Sequence, residues 1–554
     1  VGESERSNDK ATRGRDMERA ALLEHRGSLE HPRFFSGPSL LLIAPLCVLG
    51  AIIGTELITT LGITTNTSLI GALAGMALAR IPGRAFGRYR STHVQNLAQS
   101  AISAATFGAG NALLLPVGIP FVLGRMDLVP SMLIGVFLAM LVDGYLLYRM
   151  FDSEVFPSTG AWPPGVAAAE AIRAGDEGGR KGLVLLGGIG VGIVGSILTV
   201  PMSAFGVAFI GNIWALTMFG VGLLTRGYSS TLFSSLLPGG DLMKAYIPHG
   251  VMVGAGVVAL IQVVVLMMRR DGGGGEIDAT KSAAAVRRTI GLGSGAYIVI
   301  AALIALLGGL FVEMSSGMLI LFIAYAAFAA LVHELIVGLA AMHAGWFPAF
   351  AVALITLVIG ILIGFPAPAL CLLVGFSAAT GPAFADMGYD LKAGYMLRGH
   401  GENPAFELDG RRQQLFAAMF AFVVAGIVVA ASYQGYFNAN KVAPVDRVYV
   451  AAIKAGASWE VARQLALWAI PGAIVQFLGG PKRQLGVLFA TGLLILNINA
   501  GWAVLVGVAL RWLWTQRTGG ERRSEMEVFA AGVIAGDALY SFYDTTLRAY
   551  GPKK

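Results

Sequence analysis

Charge is scarce in this chain: only 13% of its 554 residues are Asp, Glu, Lys or Arg, while 56% are hydrophobic. That balance lies far from the average of soluble domains and excludes an ordinary soluble enzyme or binding module. Cysteine is nearly missing too. The two present, Cys47 and Cys371, both fall in apolar runs, so they offer neither a disulfide framework nor a metal knuckle and read as packing residues. The seven histidines form no ligand-like set, and His333-Glu334 lacks the second histidine of a zinc HExxH helix. No metal and no cofactor is expected. The letters GVGIVG around Gly190, Gly192 and Gly195 match a dinucleotide fingerprint, but they sit inside one apolar run rather than in a strand, turn and helix. They read as a face for close helix packing. Val1–Ser36 is polar and has no charged stretch followed by a short apolar core and cleavage site, so no removable signal peptide is expected.

What the chain has instead is a succession of apolar runs of roughly 18 or more residues, each long enough to cross a hydrocarbon core about 30 Å thick. The reading is an all-α polytopic membrane protein of about 14 (12–16) transmembrane helices, some broken or re-entrant because glycine and proline interrupt the runs. The re-entrant candidate is 229–240. The 74 glycines suit helices that approach closely in lipid. Residues 1–37 form a cytoplasmic arm, 38–550 the transmembrane domain and 551–554 a tail. Charged loops fall near 149–181, 269–288 and 383–414. The formal charge of +7 is concentrated in such connections, which suits cytoplasmic loops beside anionic lipid and argues against nucleic acid as a partner. The 149–181 and 383–414 segments share a shape, which suggests an internal repeat.

Ionisable side chains at membrane depth are expensive, at least about 2.5 kcal/mol at a helix centre, and therefore mark function by default. Glu56, Asp143, His333, Glu334 and Asp537 are the candidates for proton coupling. His343 and Asp544 are weaker members of the same set. Gln95, Asn96 and Gln99 gather amides on one stretch of helix, with Gln95 and Gln99 on a common face. Asn497 and Asn499 interrupt an apolar run beside Gly501, and Tyr540 lies one turn beyond Asp537. These six are the candidates for binding substrate. The charged loops themselves read as solvated connectors or gate elements.

Several motifs carry a family resemblance. DLKAGY at Asp390–Tyr395 followed by RRQQ at Arg411–Gln414, FPSTG at Phe156–Gly160 followed by AAAEAIRAGD at Ala167–Asp176, VQNLAQSAIS at Val94–Ser103 and FAAGVIAGDAL at Phe529–Leu539 stand in one order. Together they resemble the oligopeptide transporter (OPT) family, in its bacterial and yellow-stripe-like branch. The sequence departs from that pattern at Ser158, where the family has Glu, at His93, where it has Asn, and in insertions at Trp162–Pro164 and before Arg411.

The resemblance implies a secondary active transporter in the plasma (inner) membrane, a proton-coupled symporter of small oligopeptides or of peptide-like metal chelates of siderophore type. Its partners would be that solute, protons and the lipid bilayer. The alternative is a channel or facilitator for a small polar organic solute. A membrane-embedded enzyme is the weaker alternative, because the scattered acids and histidines show no reactive constellation.

Overall fold

The structure, a computed structural model, describes residues 31–62, 87–175, 180–210, 212–235, 237, 241–268, 281–344, 349–456, 458–518 and 523–543. These residues are almost wholly helical, with two isolated β-bridges, Phe151 to Phe156 and Ser153 to Lys281. Nine helices among them are long and apolar enough to cross a membrane, and five shorter apolar helices of 10–17 residues accompany them. Glycine, proline and asparagine cut some of the runs, as at Gly364 and Pro366 and at Asn497, which is why run-counting alone does not fix the number of crossings.

The first helix, α1 (Gly37–Thr60), starts at a Ser36 cap with Pro38 in its first turn. α2 (Thr92–Leu123) runs through a π-helical stretch at Gly108–Leu114. After α3 (Val129–Met150) comes α4 (Pro163–Gly175), which lies on a later helix through Ala168 and Ala169. Next are α5 (Arg180–Ile197), α6 (Met202–Ile210), α7 (Ile213–Gly227) and α8 (Ile247–Met268). Of the expected re-entrant piece, Ser229–Leu232 is a single helical turn, and 236 and 238–240 lie outside the described residues. The chain continues with α9 (Ala283–Leu307), α10 (Ser316–Ala344), α11 (Ala349–Ile363), α12 (Ala367–Ala379) and α13 (Pro382–Leu397). α14 (Pro404–Asn438), α15 (Pro444–Gly456), α16 (Trp459–Arg483), α17 (Leu485–Leu494), α18 (Ile498–Thr518) and α19 (Arg523–Phe542) complete it.

Two helical groups result. In one, α1, α2, α3, α13 and α14 pack together, with α9, α10 and α12 against α3 and α13. In the other, α5–α8 pair with α16–α19 in reversed chain order: α5 on α19, α6 on α18 and α19, α7 on α17, α8 on α16. Glycine makes these pairings possible. Gly188 rests on the Phe529 carbonyl and Gly532, while Gly532 rests on the Leu185 carbonyl and Gly188; Gly222 and Gly492 meet in the same reciprocal way, and Gly254 and Gly472 lie on Ala469 and Val251. A Cβ at any of them would strike backbone. The packing face of α5 is therefore Gly188 and Gly192, four residues apart. It is not the 190/192/195 set: Gly190 faces open space and Gly195 packs on Met202.

The segment read as a charged loop at 383–414 is mostly helix. α13 is buried along nearly its whole length, and the turn proper is only Gly399–Asn403, where Gly399, His400 and Gly401 take positive φ. Asn403 caps α14 and Pro404 occupies its first position, so this helix begins eleven residues before the apolar run at Leu415. Hydropathy misplaced the boundary because the first turns of α14 hold charges that are buried and paired. Within 149–181, read as a charged loop, Pro163–Gly175 is the helix α4. Cys47 and Cys371 are buried and free. Of the arm, His31–Ser36 docks on the helices, with the buried Phe34 donating its N–H to Gln413 Oε1 at 2.9 Å.

Candidate functional site

Three chain breaks meet around one cavity of about 360 Å³. The α5–α6 junction supplies Ser196, Thr199 and Ser203, the turn after α14 supplies Lys441, and the α17–α18 break supplies Asn497 and Asn499; Glu56 and Thr60 of α1 and Asp537 and Tyr540 of α19 complete the wall. Five residues singled out in the sequence, Glu56, Asn497, Asn499, Asp537 and Tyr540, are thus brought together from three distant segments. Asn497 holds its break open by capping α18, its Oδ1 accepting the Ala500 N–H at 2.9 Å.

The polar groups of the cavity differ in how they are satisfied. Glu56 is buried; its Oε1 lies 3.3 Å from Lys441 Nζ, and its Oε2 has no partner. Asp537 accepts the Ser196 hydroxyl and, at 2.6 Å, the backbone N–H of Ser203. The latter contact places a carboxylate at the first turn of α6, where helix N–H groups lack intrahelical acceptors. Among the described residues the cavity therefore carries one cation and two carboxylates. Lys441 escaped the sequence reading because it looks like an ordinary basic flank after a long apolar helix.

A second cluster lies among α3, α9 and α10. The Tyr297 hydroxyl is 2.6 Å from Asp143 Oδ1 and 2.9 Å from Glu334 Oε2, and Asp143 Oδ2 accepts the Gly381 N–H at 2.7 Å. All three side chains are fully buried. A phenol has one proton, so it donates to only one of these carboxyls. The other contact requires a proton on its carboxyl. His333, next to Glu334, faces the other way: Nε2 contacts the Ala349 carbonyl at 3.0 Å and Nδ1 the Thr380 hydroxyl at 3.3 Å, so it braces the α12–α13 break.

Gln95, Asn96 and Gln99 do not line the cavity. Gln95 donates to the Tyr89 carbonyl at 3.1 Å, and Asn96 donates to Gln99 Oε1 at 2.9 Å. Gln99 in turn reaches α13, where its Nε2 lies 2.5 Å from Asp390 Oδ1. Of the weaker candidates, Asp544 and the side chain of His343 lie outside the described residues.

The charged segments meet in a buried network rather than a solvated connector. Arg398 forks onto Glu407 at 2.7 and 3.0 Å, Arg411 contacts Glu407 at 2.7 Å and Asp152 at 3.2 Å, and the Ser158 hydroxyl donates to Asp152 at 2.6 Å. Lys392 donates to the Ser158 carbonyl at 2.8 Å. Desolvation together with Arg411 and Arg149 lowers the Lys281 ammonium from its ordinary range. His31 packs at a tilt against His93 and Phe406, and burial plus the Arg398 charge push its imidazole down to about 3. The sequence hid this network because its charges looked like topology signals rather than partners. Among the described residues no group of three His, Cys, Asp or Glu is placed to hold a metal ion.

A family model described as OPT oligopeptide transporter protein matches residues 40–261 and 184–545. The chain belongs to the OPT oligopeptide transporter family. Membership makes it a multi-pass membrane transporter of the oligopeptide type. A comparison with curated proteins finds no match.

Proposed function

We propose that this OPT chain is a proton-coupled symporter of the plasma membrane that carries small oligopeptides or peptide-like metal chelates, in the manner of the bacterial and yellow-stripe-like branch. The Glu56–Lys441–Asp537 cavity is the substrate site in this reading, and the Asp143–Tyr297–Glu334 cluster the proton site. The cavity's volume is at the lower end of small-molecule pockets. Lys441 suits a substrate carboxylate and Glu56 an amine, while Asn497 and Asn499 offer amides to a peptide backbone.

The observation that carries the coupling is the single Tyr297 proton set between two buried carboxyls. One acid must hold a proton, and the carboxyl that gives it up leaves an uncompensated charge in a dry interior, which is the kind of energy difference that drives a conformational switch. His333 is a bracing residue in this scheme. Asp537 is read as a cavity anion rather than a proton carrier, because both its oxygens are already engaged.

The test is uptake by purified protein in proteoliposomes with acid outside, comparing labelled tri- and tetrapeptides with a ferric siderophore. Accumulation that collapses with a protonophore is expected, and Glu334→Gln is expected to abolish it while leaving a folded protein. Unchanged uphill uptake by Glu334→Gln would remove Glu334 from coupling. A gradient-independent leak would favour a channel.

A further inference from the structure

We propose that Gln262 and Gln476 close a gate on the membrane face opposite the Glu56–Lys441–Asp537 cavity, as the counterpart of Asp537 and Ser196 in an inverted internal repeat; this rests on the reading of that cavity as the substrate site. The second half of the chain restates the first in the same order. SAAT at Ser103–Thr106 runs into the π-helical stretch of α2, and SAAT at Ser377–Thr380 runs into the α12–α13 break. The helices α4 and α15 are each 13 residues long, begin at proline and end in AIRAG and AIKAG. Thr199 after α5 and Gly480 near the end of α16 both take positive φ, 61° and 71°, and the helices that follow, α6 and α17, are short, at 9 and 10 residues. Asn212 and Asn497, each followed by isoleucine, cap α7 and α18. The 149–181 segment is thus matched through α4 with α15, and not with the 383–414 segment whose shape it shares.

Exchanging the halves also exchanges their contacts. α5 lies on α19 as α16 lies on α8, α6 on α19 as α17 on α8, and α6 on α18 as α17 on α7. α7 lies on its own counterpart, α18, and the two run in opposite directions, since Gly220 meets Leu505 while Gly227 meets Ile498. A two-fold axis that relates antiparallel helices lies across them, so the repeat is inverted. The polar contacts follow it. Asp537 of α19 accepts the Ser196 hydroxyl of α5 and the Ser203 N–H at the start of α6. In the other copy, Gln476 of α16 accepts the N–H groups of Gly486 and Val487 at the start of α17, at 3.1 and 3.3 Å, and donates to Gln262 Oε1 of α8 at 2.9 Å, while Gln262 donates to the Gln476 carbonyl at 3.1 Å. The two places are in different states. Beside Asp537 is the cavity of about 360 Å³. Gln476 is fully buried, Gly486 packs on its backbone, and the Arg483 guanidinium lies 4.8 Å from the centre of the Trp214 ring. Trp214 stands two residues past the Asn212 cap, where Asn499, two past Asn497, lines the cavity in the other copy. Two like arrangements, one open and one shut, are what alternating access needs, because exchanging their conformations moves the opening to the other face.

One experiment locks the gate and a second loosens it. In the full chain carrying Cys47→Ala and Cys371→Ala, Gln262→Cys and Gln476→Cys are joined by a short bifunctional thiol reagent that reduction releases. In proteoliposomes the joined protein is expected to lose net uptake of a cargo that the unjoined protein accumulates, and to regain it on reduction. Uptake undiminished by complete joining would overturn the proposal. Hydrogen–deuterium exchange of Gln476→Ala needs no cargo. Exchange in 484–494 is expected to quicken about fivefold, the weight of a lost helix cap, while exchange in 196–204 slows, because opening one face shuts the other. A residue that only holds α17 in place would quicken 484–494 and leave 196–204 unchanged or faster, and either result would overturn the gate. If neither peptide nor chelate accumulates in the wild type, the proposed function fails, and the exchange measurement still decides the gate.

Discussion

Tyr297→Phe removes one oxygen and nothing else from the Asp143–Tyr297–Glu334 cluster, and its consequences differ for stability and for the proposed coupling. The hydroxyl makes contacts of 2.6 Å to Asp143 and 2.9 Å to Glu334. One of these involves an ionised carboxylate, worth about 1.5–3 kcal/mol, and the other a neutral acid, worth about 1 kcal/mol. The expected loss is therefore about 2–4 kcal/mol, measured by thermal or denaturant unfolding in detergent, with the protein still monodisperse by size exclusion. In proteoliposomes the variant is expected to lose accumulation driven by an acid-outside gradient while retaining substrate exchange when no gradient is applied. Combining it with Glu334→Gln sharpens the result: both changes act through the same hydroxyl, so the double variant is expected to lose less stability than the two single losses added together. Wild-type accumulation by Tyr297→Phe, with an unaltered dependence on external pH, would refute the argument that this proton is the coupled one.

Other expectations concern the cavity, the helix crossings and the arm. Lys441→Met is expected to raise the KM for peptide uptake at least about tenfold with a smaller change in maximal rate, because it removes the one cation that lines the cavity among the described residues. Asp537→Ala is expected to cost about 1 kcal/mol through the lost contact at the start of α6, and an unchanged unfolding temperature would contradict that role. Gly188→Val is expected to destabilise by about 1–3 kcal/mol through overpacking against α19, whereas Gly190→Val, which faces open space, is expected to be near neutral. His31 is depressed from 6.5 to about 3, so an unfolded arm binds the proton first; docking is intact above pH 6.5 and weakens as pH falls toward 3, by at most about 1.4 kcal/mol per unit. His31→Gln is expected to flatten that part of the pH dependence of unfolding.

Much of the site was visible in the sequence as chemistry without geometry. Glu56, Asn497, Asn499, Asp537 and Tyr540 stood out because a polar group in an apolar run is costly wherever it lies, and all five line one cavity. The same cost pointed to Asp143 and Glu334 but gave no hint that Tyr297 joins them, since a tyrosine is not expensive enough in an apolar helix to draw notice. His333 drew equal attention to Glu334, yet adjacent residues on a helix point about 100° apart, so only one of them reaches the cluster.

By itself, then, the sequence determined a helical membrane protein and the family motifs, because hydropathy and backbone hydrogen bonding in lipid act on each segment locally. Which polar groups are partners was decided by the tertiary structure. Asp386, Asp390, Glu407 and Arg411 had the composition of a solvated loop and became buried helix: Ser103 and Gln99 of α2 meet the two aspartates, Asp152 meets Arg411, and Arg398 and Arg411 of the same segment hold Glu407. Burial of a charge depends on what stands opposite it, and for Asp386, Asp390 and Arg411 that residue lies hundreds of positions away along the chain.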